Sequence, residues 1–410
     1  MSKIINISNA FILGGTFGLE RETLRVTAEG YMAHTPHPFP NDSHIVKDFC
    51  ENQAEINTGV HSTAQGAIGE LTKLSKRLNT ELKKHGERLW MYSNPPYIKN
   101  EDDIPVAVYE GDQQGKHSYR LYLSEKYGKY KMTLSGIHVN YSLSEEMLRY
   151  CFSQSSNSDY KQLKNYAYLR LAQGLLEYGW LINLLFSSSP VCDGSYLSPE
   201  RIGESVITDY ASVRCGKEGY WNNFTPVLSY ESVLSYAESI QKYIESGKLA
   251  GVGELYYPIR LKPKGVNRLN NLVQNGVNHI ELRNIDINPF AKEGIDVRDL
   301  EFLELLMLWI YCTYHEKPSR DEQISAVENF KNSALYDIDN TILFNDNTKK
   351  ESLRTAGIRI LSEITAFYKN NTKADNLLEY QLNKLTEKNT RYAEKVRAYL
   401  KDNYIEKVII

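Results

Sequence analysis

The chain has 410 residues, of which 41% are apolar and 30 are tyrosine, a composition that buries a large core and excludes intrinsic disorder. Its 48 basic and 51 acidic residues leave a formal net charge of −3, which removes any global attraction to nucleic acid or to an anionic membrane. A folded enzyme or binding protein remains, of two or three domains or one large catalytic unit.

The longest apolar stretch near the start, Ala10 to Leu13, is too short for a signal-peptide core. The runs Trp180–Phe186 and Phe302–Tyr311 fall short of the roughly 20 residues a membrane helix needs. Five scattered cysteines without a CxxC pair read as free thiols of a reducing cytoplasm.

In chain order, residues 17–26 alternate as a strand and lead into a proline-rich loop, His34 to Pro40. Ile68, Leu71, Leu74, Leu78 and Leu82 then keep the spacing of an amphipathic helix. Residues 130–142 alternate like a strand. Residues 161–186 read as a mostly buried helix stopped at Ser187-Ser-Ser-Pro190, and a further strand spans about 278–287. Near the end, Leu353, Ile360, Ile364 and Phe367 define one helical face, and Tyr392, Val396, Tyr399 and Leu400 another. Strands mixed with helices, without regular βαβ alternation, favour an α+β class.

Four segments carry residues suited to chemistry. In Gly18-Leu-Glu-Arg-Glu-Thr-Leu-Arg-Val26, a strand places Glu20 and Glu22 on one face. Such a pair either shares a cation, for which oxygen ligands suit Mg²⁺, or is neutralised by Arg21 and Arg25. In His279-Ile-Glu-Leu-Arg283, Ile280 and Leu282 would face the core while Glu281 and Arg283 share the other face. That pairing fits the grip on a transferring phosphoryl group, or an internal salt bridge. His138 and Asn140 share a strand face, with Met132 and Leu134 upstream on it. In Asp48 to Glu55, the residues Phe49, Glu51 and Glu55 alternate onto one face. No P-loop is present, because Gly111 to Lys116 is one residue short, and Gly14 to Gly18 lacks GxGxxG spacing. His34 and His37 have no supporting zinc ligands.

Taken together, FGLERETLRV, LSGIHVN, SVRCGKEGY, ELYYPIR and HIELRNIDINPF resemble the bacterial glutamate–cysteine ligase family, in that family's order, across roughly residues 10–315. The resemblance implies an antiparallel sheet wrapped by helices, related to glutamine synthetase. It divides the chain into a ligase core over 1–320 and C-terminal helices over 321–410 packed on it. It also implies ATP- and Mg²⁺-dependent joining of L-glutamate to L-cysteine in the cytoplasm, the first step of glutathione synthesis.

Carried over by position, Glu20, Glu22, Glu55, His138 and Glu281 resemble the groups that hold Mg²⁺ and nucleotide phosphates, with Asn140 and Arg120 beside them. Arg283 resembles the arginine that stabilises the phosphoryl group, and Arg214 the one that receives a substrate carboxylate. Phe49, Tyr119, Leu123, Leu134, Tyr220 and Tyr256 match the acceptor pocket. Met132 departs from the family's usual glutamine there, which leaves open a γ-glutamyl ligase with another amine acceptor. A non-catalytic relative is the remaining alternative, and it would be expected to lose the acidic residues first. The chain shows no ATP-grasp segment, so a separate glutathione synthetase is expected to add glycine.

Overall fold

A computed structural model describes residues 10–109, 111–343 and 351–400. The alternating segment near the start is β1 (Thr16–Thr27). Period-two alternation sends Phe17 and Leu19 into the larger apolar core and Glu20 and Glu22 to the opposite face. Arg21 and Arg25 follow the Phe17 side. They are buried there against Glu293 at 3.3 Å and Glu87 at 3.0 Å. They therefore do not neutralise Glu20 and Glu22.

An antiparallel sheet assembles around β1. Its first members are β2 (Ile45–Lys47), β3 (Gln53–Asn57) and β4 (Glu87–Leu89), the last pairing with the far end of β1. Further along the chain come β5 (Gly136–Ser142), the separate two-stranded pair β6 (Val191–Asp193) and β7 (Ser205–Ile207), then β8 (Ile259–Lys262) and β9 (His279–Asp286). The main order is β2-β3-β1-β5-β9-β8. With helices against it, the class is α+β.

Helix α1 (Ala64–Lys83) starts where the Thr63 side chain accepts the Gly66 N–H, and it buries Leu71, Leu74, Leu78 and Leu82 in the larger core. Helix α2 (Gln114–Tyr127) is different, since Leu123 is its one buried residue. The long helix expected over 161–186 is two, α3 (Tyr160–Tyr178) and α4 (Trp180–Phe186). They break at Gly179, where a Cβ would stand 2.3 Å from the Leu175 carbonyl oxygen and 2.5 Å from the Phe330 ring. Helix α5 (Val297–Thr313) is apolar nearly all round because it is buried along nearly its whole length.

Three further expectations need correction. Residues 130–142 are not one strand: Lys129–Met132 forms a helical turn and only Gly136–Ser142 is extended. Met132 and Leu134 therefore do not share a strand face with His138. The chain turns at 50–52, so Glu51 points away from Glu55 and pairs with Lys47 at 2.9 Å. Tyr399 is 44% exposed, while Tyr392, Val396 and Leu400 form the buried face of the helix Tyr392–Leu400. The C-terminal helices dock on α5, with the Lys384 ammonium and the Tyr392 hydroxyl each 2.7 Å from the Asp299 carboxylate. Residues 401–410 of the expected tail lie outside the described residues.

Glu304 on α5 gives the fold a pH dependence. Its carboxylate accepts the Gly15 N–H at 2.5 Å and the Tyr141 hydroxyl at 3.1 Å. Burial nevertheless pushes it from 4.5 up to about 7. A folded pKa raised above the unfolded one contributes stability below about pH 4.5, which is lost as pH rises through about 7. Glu304→Gln, which removes the charge but keeps an acceptor, should raise Tm relative to wild type at about pH 8 and not at about pH 4.5. The gain at the upper end is up to about 3 kcal/mol. Thermal unfolding across that range checks this, and a pH-independent difference would contradict it.

Candidate active site

Strand register builds one charged face. Glu20 pairs with His138, Glu22 with Glu55, Asn140 with Glu281, and Glu281 with Arg260. Side chains of paired residues stand side by side, so five strands present Glu20, Glu22, Glu55, His138, Arg260 and Glu281 into one open cleft of about 680 Å³.

The local bonds are specific. Glu20 accepts from His138 Nδ1 at 3.1 Å and from the Asn140 amide at 2.8 Å. Glu22 accepts the Gly136 N–H at 2.8 Å and lies 3.4 Å from His138 Nε2. Glu281 faces Arg283 at 3.1 Å, Lys262 at 3.3 Å and Arg260 at 3.7 Å. Between β5 and β9 the register slips by one, so Arg283 and Asn284 both stand opposite His138 in a β-bulge. The bulge returns Ile285 and Ile287 to the core beside Ile280 and Leu282. It also leaves Asp286 accepting the Ser188 N–H at 2.9 Å and the Ser189 and Ser212 hydroxyls at 2.7 and 2.9 Å.

Charge is divided unevenly. Burial alone would push the Glu281 carboxyl up, yet Arg283, Lys262 and Arg260 hold it well below the usual carboxylate range. Burial would also raise Glu20, and the His138 hydrogen bond together with the charges of His138 and Lys262 keeps that carboxyl low. Glu55 behaves oppositely: burial, then Glu20, Asp48 and Glu22, drive it well above its ordinary value. Asp48 is pushed up to about 6 by burial and Glu22, against Arg120 and Arg283. Burial and Arg283 lower His138, which keeps its ring neutral, the form that can ligate a cation. The lining carries five carboxyl groups, Glu20, Glu22, Asp48, Glu55 and Glu281, against four cations, Arg120, Arg260, Lys262 and Arg283.

The donor set fits a divalent cation. Ligand atoms of Glu20, His138 and Glu281 lie within 4.8 Å of one another. Glu281 Oε2 is buried and accepts no hydrogen bond. Oxygen-dominated donors of this kind suit a hard ion such as Mg²⁺.

Two walls rise beside the sheet. One carries Tyr119, Arg120 and Leu123 from α2, with Met132 and Phe49; the other carries Tyr220 and Tyr256, whose ring centroids are 4.4 Å apart. Arg214 lines an adjoining pocket with Tyr220, Tyr256 and Arg283. It donates to the Arg283 carbonyl at 2.6 Å and reaches within 3.3 Å of His138 Nε2. Gly136 makes room for it, because a Cβ there would meet the guanidinium at 2.3 Å.

Nearly every residue singled out from the sequence thus converges on this cleft. Asn140 serves by holding Glu20. Leu134 is buried but lies outside the lining. Sequence reasoning missed Asp48, Gly253, Arg260 and Lys262, all of which line the cleft. The signal for the two cations was the alternation of Ile259-Arg-Leu-Lys262, one core-facing residue between each pair.

Fold and cleft together define an α+β protein whose sheet presents carboxylates, a histidine and guanidinium groups to one small-molecule-sized site. The sequence pattern described as glutamate-cysteine ligase matches residues 3–250 and 248–333, and the chain belongs to that family. It is 31% identical to a glutathione biosynthesis bifunctional protein of Clostridium perfringens over 96% of this chain and 52% of that protein. A namesake from Streptococcus thermophilus is 36% identical over 72% of this chain and 39% of its own length. The chain spans about half the length of the first of these. A crystal structure of glutamate–cysteine ligase from Francisella tularensis in complex with AMP superposes with a TM-score of 0.86 at 24% identity, covering 97% of this chain and 87% of that one. The bifunctional glutathione synthetase of Pasteurella multocida superposes with a TM-score of 0.81 at 25% identity, over 98% of this chain and 52% of that one. Because the curated relatives are bifunctional, they give no support to the expectation of a separate partner synthetase. Among the described residues no helix is long and apolar enough to cross a membrane.

Proposed function

We propose that this chain uses ATP and Mg²⁺ to activate the γ-carboxylate of L-glutamate as an acyl phosphate and transfers the glutamyl group to the amine of L-cysteine. The observation that carries this reading is a single cleft in which Glu20, Glu22, Asp48, Glu55 and Glu281 face Arg283 beside an aromatic wall. Family membership supports it.

A carboxylate is a poor electrophile, so its oxygen first attacks the terminal phosphorus of ATP and ADP leaves. The acceptor's unprotonated amine then attacks the acyl carbon, phosphate departs with the electron pair of the broken C–O bond, and the nitrogen releases one proton to give the amide. No covalent enzyme nucleophile is needed. Glu20, His138 and Glu281, with Glu22 and Glu55 beside them, would hold Mg²⁺, whose charge offsets that of the phosphate oxygens. Arg283 offers a planar fork to the moving phosphoryl group. Burial alone would lower its pKa, but Glu281 and Glu22 raise it and keep it cationic. Arg214, oriented by the Arg283 carbonyl, receives a substrate carboxylate. Burial pushes the Tyr119, Tyr220 and Tyr256 hydroxyls up, so they remain neutral donors for the acceptor. The cytoplasm is the compartment this reading assigns, supported by five free cysteines.

One observation favours a different acceptor. Met132 is 3% exposed and packs with Phe49 and Leu123 in the wall of the cleft. A thioether cannot replace a two-sided amide hydrogen bonder. Phosphate release with L-glutamate, ATP and Mg²⁺ over a panel of amines, with product masses recorded, decides between the readings. Preferred γ-glutamylcysteine supports cysteine as acceptor, and another preferred γ-glutamyl product selects the second reading. No γ-glutamyl product with any amine would refute both.

A further inference from the structure

The acceptor wall on α2 is held along its first turns by His117 against the Ala107 carbonyl, 2.8 Å, and by Arg120, which donates to the Asp48 carbonyl. Leu123 is the one buried residue of that helix, and no side chain caps its N-terminus. Leu123 anchors it in the smaller apolar cluster, against which Tyr119, Tyr122 and Tyr127 pack half-buried. At the other end of α2 lies a polar junction that the proposed reaction does not use.

Its centre is Glu254, which is fully buried. Glu254 Oε1 accepts from Lys126 Nζ at 2.5 Å and from the Tyr127 hydroxyl at 2.8 Å, both on the last turn of α2. Its other oxygen accepts the Ala250 N–H at 2.5 Å. Asn222 completes the junction. Its amide nitrogen donates to the Tyr127 hydroxyl at 3.0 Å and the Glu254 carbonyl at 2.8 Å, while its oxygen accepts the Tyr256 N–H at 2.9 Å. The Glu254 carboxylate thus joins α2 to the turn before Tyr256, and Asn222, in the stretch after Tyr220, bridges the two through the Tyr127 hydroxyl and the Glu254 backbone carbonyl. Each of these three segments contributes an aromatic ring to the cleft.

We infer that Glu254 is a positioning residue that sets the width of the acceptor pocket by tying α2 to the Tyr220–Tyr256 wall. This rests on reading the cleft as the ligase site. Charge-assisted hydrogen bonds from a lysine and a phenol to a buried carboxylate are among the stronger polar contacts, and an amide in that place can satisfy only part of them.

The test compares wild type with Glu254→Gln, and with Tyr127→Phe as a milder change that removes one hydroxyl. In steady-state kinetics, Glu254→Gln should raise acceptor KM about tenfold, with glutamate and ATP KM and kcat changed less than about threefold. Tyr127→Phe should shift acceptor KM the same way by a smaller factor. Hydrogen exchange followed by mass spectrometry gives a readout independent of turnover. Peptides covering 114–127 should exchange about tenfold faster in Glu254→Gln, while those covering 279–286 stay unchanged. Wild-type turnover in the same assay reports on the ligase reading by itself. Unchanged exchange across 114–127 in both variants would overturn the inference whatever the turnover. So would an equal rise in all three KM values.

Discussion

Replacing Arg283 with lysine is expected to lower kcat by a factor on the order of 10²–10³, the scale seen when one strong electrostatic donor is lost from an active site. Arg283 sits on the β9 bulge, 3.1 Å from Glu281 and within the cleft. Its carbonyl also receives Arg214 at 2.6 Å. Lysine keeps the backbone and the charge, so the Arg214 contact and the pairing with Glu281 persist. The second N–H of a planar fork is lost, and a point charge cannot span two phosphate oxygens. The loss should therefore fall on kcat, with acceptor KM changed only a few-fold and Tm within about 3 °C of wild type. An unchanged kcat would make Arg283 a structural partner of Glu281.

Glu281→Gln is the second large effect. Glu281 is one of the three groups that converge within 4.8 Å, and it alone faces Arg260, Lys262 and Arg283 together. Outer-shell partners of a metal typically contribute 10–100-fold to its affinity, so loss of a ligand should weaken the cation by at least about that factor. Mn²⁺ titration by electron paramagnetic resonance reads this without turnover. Activity should fall in parallel and recover only in part at high Mg²⁺. Removing the carboxylate also leaves the buried Arg260 and the half-buried Lys262 and Arg283 less compensated, which destabilises by a few kcal/mol. Thermal unfolding with and without Mn²⁺ separates the two effects. Wild-type Mn²⁺ affinity in the variant would remove Glu281 from the cation site.

The sequence revealed the acidic strand because β1 is extended without interruption over Thr16–Thr27, even though its apolar residues change face between Leu19 and Leu24. Two glutamates at spacing two could then be placed on one face, and the structure pairs them with His138 and Glu55. Where the chain does not stay extended, the reading failed. The turn at 50–52 separated Glu51 from Glu55, and the helical turn Lys129–Met132 mimicked strand periodicity over too few residues to be told apart. The bulge at Arg283 was legible in principle. Apolar residues at 280, 282, 285 and 287 change spacing once, as one extra residue requires. Arg260 and Lys262 went unread because a four-residue strand gives little pattern. Their importance comes from register against Glu281, which only the assembled sheet specifies. Asp48 was quoted with its segment but gained meaning only once folding set it against Glu22 and Arg120.

Isotope transfer tests the central claim most directly. L-Glutamate carrying ¹⁸O in its γ-carboxylate is supplied with ATP, Mg²⁺ and the preferred acceptor amine, and the released phosphate is analysed by mass spectrometry. Activation as an acyl phosphate requires the attacking carboxylate oxygen to leave with phosphorus. The account therefore predicts one ¹⁸O atom in each phosphate formed together with γ-glutamyl product. Unlabelled phosphate accompanying that product would contradict it.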